Sequence, residues 1–141
     1  MMTPLEKLGL SIKHLQNRHH RALDTELAPL GISLVQWHAL REIDRNPGSP
    51  QLRLAELTFN SAQAFGTLVT RMERANMIRR TPSGGRAITL SLTPKGEMLL
   101  DAGRKVVLDV LADSFGGLSE TECATLQSLI TKALDRNGTR D

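Results

Sequence analysis

Apolar residues recur along this 141-residue chain in two rhythms, and the places where the rhythm changes mark its elements. Leu5, Leu8, Ile12, Leu15, His19, Ala22 and Glu26 follow an alternating three- and four-residue spacing that is mostly apolar. This pattern predicts a long first helix with a seam of coiled-coil type. Thr3 is placed to cap it, Pro4 suits its first position, and Glu6 completes a T-x-x-E capping box. Pro29-Leu30-Gly31 end it. Ser33 and Gln36 form the capping box of a second helix, with Ile32 and Trp37 at the flanking staple positions, so Trp37 reads as a packing residue. Asn46-Pro47-Gly48 stop that helix. A short third helix, 51–57, gives Leu54, Ala55 and Leu57 to the core. Thr58-Phe59-Asn60-Ser61 lead from it into a fourth, 62–75. There Ala62, Phe65, Leu68, Val69 and Met72 share one face. Gln63, Thr67, Thr70 and Arg74 share the opposite one, with Arg71 at its margin.

After Met77 the period falls from 3.6 to two. Ile78 to Thr81 form a strand, and Ile88, Leu90 and Leu92 alternate with Ala87, Thr89 and Ser91 in a second. The turn Pro82-Ser83-Gly84-Gly85-Arg86 joins them. Thr93 and Pro94 start a fifth helix that runs to about 114, with Leu99, Val106, Val107, Val110 and Leu111 as its apolar positions. Gly116-Gly117 break it. Ser119 and Glu122 open a last helix that carries Leu126, Leu129, Ile130 and Leu134 and frays at 136–138. The chain reads as one domain, mainly α with a small β-hairpin. Helix, turn, helix and basic hairpin in succession describe a winged helix-turn-helix, whose second helix is shaped for the DNA major groove.

Charge sharpens this picture by where it lies. The net charge is only +3, although the isoelectric point is about 9.5. Between Thr70 and Lys105, however, eight basic residues (Arg71, Arg74, Arg79, Arg80, Arg86, Lys95, Arg104, Lys105) face three acids (Glu73, Glu97, Asp101). From Leu111 onward acids predominate. The positive charge is therefore gathered where this reading puts DNA. On the polar face of the fourth helix, Gln63 suits adenine, Arg71 suits guanine, and the Thr67 methyl suits thymine. Arg74, Arg79 and Arg80 suit phosphates, and Arg86 at a glycine-rich tip suits a minor groove. Gly66 lies at the flank of that helix, where either close helix packing or close approach of DNA would favour it.

These residues resemble the MarR family of bacterial regulators. The likeness is carried by Leu54-Ala55, Ser61 to Glu73, Met77-Ile78-Arg79-Arg80, Gly85-Arg86-Ala87-Ile88 and, most specifically, Leu92-Thr93-Pro94-Lys95-Gly96. The resemblance implies a homodimer joined through N- and C-terminal dimerisation helices (1–30 and 98–141), around a DNA-binding lobe at 33–97. It implies a repressor on a near-palindromic operator, released by a small-molecule effector. It places Gln63, Thr67 and Arg71 near bases and Arg86 in the wing role; the helix-turn-helix reading adds Ser61, Thr70, Arg74, Arg79 and Arg80 as candidate DNA contacts. It marks one departure, since Gly84 stands where the family often has an aspartate that holds the wing.

Other chemistries find little support. No nucleophile motif, phosphate loop or H-E-x-x-H is present, so no enzymatic activity and no cofactor is expected. The single cysteine, Cys123, excludes an internal disulfide and sits at a staple position opposite Leu118. His14, His19, His20 and His38 lack metal-ligand spacing, so no metal site is expected. Without a secretory or membrane-spanning segment, a cytoplasmic location is expected. The competing reading is a winged helix that contacts protein instead of specific DNA.

Overall fold

The computed structural model describes residues 1–82, 85 and 88–138, apart from the side chains of 136–138. Gly84, Arg86 and Ala87, on which expectations about the wing tip rest, lie outside the described residues. Six helices and one antiparallel hairpin follow the predicted order: α1 (Pro4–Leu27), α2 (Leu34–Arg45), α3 (Gln51–Leu57), α4 (Ala62–Arg74), β1 (Ile78–Pro82), β2 (Ile88–Leu92), α5 (Pro94–Ser114) and α6 (Glu120–Gly138).

The predicted caps are present as hydrogen bonds. Thr3 Oγ1 accepts from the Glu6 amide and Ser33 Oγ from the Gln36 amide, both at 3.2 Å. Ser119 Oγ accepts from the Glu122 amide at 3.1 Å. A single 3-10 turn, Ala28–Leu30, closes α1 and hands the chain to Gly31 at φ 79°, a left-handed conformation that glycine adopts without steric cost. α6 continues through Gly138, past the point where the sequence pattern loosens.

The core lies where the end of α1, α2, α3, α4, β1 and α5 converge. Leu27, Leu40, Leu54, Phe65, Val69, Met72 and Ile78 are fully buried there, each contributing about 1.5–3 kcal/mol of burial. Trp37 is buried against α5 and its indole Nε1–H donates to the Leu100 carbonyl at 3.1 Å. A Cβ at Gly103 would collide with that ring, so glycine is what lets α5 lie against the indole. Leu100 and Gly103 thus join the inward face predicted from Leu99 and Val107. Ala62 departs from its predicted face: it is exposed in the first turn of α4.

In contrast, the first half of α1 covers nothing within the protomer. Leu5, Leu8 and Ile12 are exposed, as are Leu129, Ile130 and Leu134 on α6. No helix among the described residues is long and apolar enough to cross a membrane.

Candidate nucleic-acid interface

Two helix stops set the position of α4. Before it, the Phe59 amide donates to Glu56 O and the Asn60 amide to Ala55 O, the paired bonds of a Schellman stop. Its left-handed position is filled by Phe59 at φ 59°, where glycine is usual. Ser61 then caps α4, accepting from the Ala64 amide at 3.1 Å. After it, Asn76 at φ 61° marks the same stop, its amide donating to Glu73 O and the Met77 amide to Met72 O.

The junction with α5 explains the Leu92-Thr93-Pro94-Lys95-Gly96 segment physically. Buried Thr93 donates its hydroxyl to Asn76 O at 2.6 Å and accepts from the Gly96 amide at 3.0 Å. The Lys95 ammonium donates to Ala75 O at 2.8 Å, a cation at the negative end of α4. A Cβ at Gly96 would run into the Met77 carbonyl. Thr93, Lys95 and Gly96 therefore lock the end of α4, the start of β1 and the start of α5 together.

With α4 held this way, Phe65, Val69 and Met72 are buried, and Ser61, Gln63, Thr67, Arg71 and Arg74 are exposed on its outer side. The exposed Thr67 donates its hydroxyl back to Gln63 O at 3.2 Å. Arg71, Arg74 and Arg79 make no ion pair among the described residues. A Cβ at Gly66 would meet only Gln51 Nε2, at 3.6 Å. That is ordinary contact, so packing inside the protomer does not require glycine there.

Thr70 and Arg80 are placed differently. Strand register pairs Arg80 with Leu90 and Ile78 with Leu92, which puts Arg80 on the inner face of the hairpin; Arg79 points outward with Ser91. Arg80 Nη2 donates to Thr70 Oγ1 at 3.2 Å, and Arg80 Nε lies 3.4 Å from Glu73 Oε1. The sequence reading treated all three basic groups, Arg74, Arg79 and Arg80, alike; only the first two stand free.

Sequence reasoning missed a buried carboxylate. Glu42 is 6% exposed. It is held by Arg41 Nε at 3.1 Å, Arg45 Nη1 at 3.4 Å and Asn46 Nδ2 at 3.1 Å, the pairing that a buried charge needs. It also missed a cleft of about 460 Å³ between α1, α2 and the turn before α4, whose walls include Trp37, His20, His38, Arg41 and Phe59. Arg41 lies over the Trp37 ring, 5.3 Å from its centre. Cys123 is half-buried. Among the described residues no group of three or more His, Cys, Asp or Glu side chains is arranged to hold a metal ion.

A capped helix with a polar outer face, preceded by a short helix and followed by a basic hairpin, defines the class: a winged helix-turn-helix protein. Residues 30–87 match the MarR family model. The HTH-type transcriptional repressor Rv2887 of Mycobacterium tuberculosis is 31% identical over 83 residues, 57% of this chain and 60% of that protein. The matched stretch thus spans about 60% of the length of such curated relatives. A probable transcriptional regulator from Pseudomonas aeruginosa superposes with TM-score 0.81 at 25% identity, covering 91% of this chain and 97% of that one. E. coli MarR complexed with operator DNA superposes with TM-score 0.85 at 23% identity, covering 92% and 95%. That likeness is one of fold.

Proposed function

We propose that this chain is a sequence-specific DNA-binding transcriptional regulator, acting in the cytoplasm as a homodimeric repressor on a near-palindromic operator. The exposed outer face of α4 carries this reading: Gln63, Thr67 and Arg71 project from a helix whose other side buries Phe65, Val69 and Met72. These side chains suit base edges in a major groove. Ser61, Arg74 and Arg79 supply phosphate contacts, and Arg86 reaches the minor groove from the wing. The exposed seam of α1 and the apolar face of α6 form the dimer contact, in residues 1–30 and 98–141, around the DNA-binding lobe at 33–97. Catalysis has no part in the proposal.

A small-molecule effector completes it. Rv2887 has been crystallised with p-aminosalicylic acid. In this chain the α1–α2 cleft combines an aromatic wall, Trp37, with a cation, Arg41, a combination that suits an aromatic acid. A ligand there sits against the turn that leads into α4. Its release of DNA would follow from binding one arrangement of the lobes better than the DNA-bound one.

The test is selection from random duplex DNA by fluorescence anisotropy at two salt concentrations. The expected result is a palindrome whose half-sites lie about one helical turn apart. Weak, sequence-blind binding that disappears at the higher salt would overturn the proposal and favour a protein-contacting winged helix.

A further inference from the structure

We infer that Arg80 is a positioning residue that fixes the rotation of the recognition helix against the wing, and is not a ligand of the DNA backbone. The inference rests on the DNA-binding reading and assigns a role within it. The side chain leaves β1 on the inner face of the hairpin and reaches two residues of α4 that are three apart, Thr70 and Glu73. Residues three apart lie on one side of a helix, so a single guanidinium grips that side at two points. The Thr70 hydroxyl spends its own proton on the Gly66 carbonyl at 3.0 Å. Its oxygen is thereby turned to accept from Arg80 Nη2. Arg80 Nε is closed off from solvent and has no hydrogen-bond partner; its tie to Glu73 is the ion pair at 3.4 Å alone.

Nη2 and Nε of this guanidinium are thus committed within the protein. Its planar fork holds two partners at a fixed angle, which the flexible ammonium of lysine does not reproduce. The consequence is directional. Gln63, Thr67 and Arg71 meet base edges at an angle set by the roll of α4, and that roll is tied to β1 and so to the wing.

Two charge-preserving variants test the assignment, Arg80→Lys and Thr70→Val, each titrated with the operator selected by the wild-type protein and with a scrambled duplex across a salt series. A positioning role predicts that both variants lose about three- to tenfold in operator affinity, the size of one hydrogen bond. Scrambled-duplex affinity and the slope of log K against log salt stay at wild-type values. The two losses combine less than additively in the double variant, because each breaks the same link. Hydrogen exchange on the DNA-free variants adds a readout independent of any operator, with faster exchange expected in β1 and the last turn of α4. Arg80→Lys with wild-type operator affinity, Thr70→Val without effect, or unchanged exchange would each overturn the inference. A wild-type protein that selects no sequence would defeat the DNA-binding reading itself, and exchange would still decide whether Arg80 holds α4.

Discussion

Phe59 occupies a left-handed backbone position, and its ring is 97% exposed. A non-glycine residue there costs about 1–2 kcal/mol, and the exposed ring returns almost nothing by burial. Phe59→Gly should therefore stabilise the protein, by about 1 kcal/mol after the greater freedom of glycine in the unfolded chain is subtracted. Chemical denaturation measures this directly; an unchanged or lower midpoint would mean that the ring has packing not visible in the protomer. A second residue ties stability to pH. Burial first, then Arg41 and His20, hold the His38 imidazole below its ordinary value of 6.5, while Glu42 opposes them. The unfolded chain takes up this proton near 6.5 while the folded chain still resists it. The penalty is thus absent above that pH and grows as pH falls toward the folded-state value. Melting temperature should fall on going from about pH 7.5 to about pH 5.5, and fall less in His38→Gln. Residue by residue, what the sequence revealed was local. Thr3, Ser33 and Ser119 are legible as caps because a cap is written within four positions. The grip of Arg80 on Thr70, ten residues away, and the burial of Glu42 depend on what folds over them, although the period-two rhythm of Ile78-Arg79-Arg80 already separated an inner arginine from an outer one.

At the level of elements, the boundaries were readable because each helix carries its own start and stop, and the strands differ from the helices in period. The way the elements touch was not. Gly96 and Gly103 appear in sequence as weak helix residues, but each marks a place where another group lies against α5: the Met77 carbonyl at Gly96 and the Trp37 ring at Gly103. Gly96→Ala gains about 1 kcal/mol of helix propensity but must displace a backbone carbonyl at the point where α4, β1 and α5 meet. We expect a net loss of about 1–3 kcal/mol, the usual cost of overpacking. Hydrogen exchange should localise the loosening to β1 and the first turn of α5. Stabilisation by this substitution would show that the junction yields readily. The cleft between α1 and α2 was invisible for a related reason: its wall residues come from four separate segments, α1, α2, the turn before α4 and α5, and none of those segments carries a signature of its own.

For the whole molecule, the apolar residues left uncovered are as informative as those in the core. Leu5, Leu8 and Ile12 follow the spacing that predicted a seam, yet they are left exposed. In a two-fold interface each such residue counts twice. Paired substitution Leu8→Asp and Ile12→Asp should leave helicity and melting of the protomer nearly unchanged while weakening self-association by at least about a hundredfold, given about 1.5–3 kcal/mol for each lost burial. Sedimentation at micromolar concentration would show a monomer, and operator affinity would drop to that of a single half-site. A dimer that survives both substitutions would move the contact elsewhere. The seam was legible in the sequence; its partner was not, since a periodic stripe reads the same whether it covers its own subunit or another.

Trp37 carries a further consequence, an optical one. It is the only tryptophan, and the chain contains no tyrosine, so near-ultraviolet emission comes from one indole. That indole is hydrogen-bonded to α5, overlaid by Arg41 and part of the wall of the α1–α2 cleft. The unlabelled protein is therefore its own spectrometer: a shift in the colour or polarisation of this single emitter reports whether the cleft is filled and whether α2 has moved against α5.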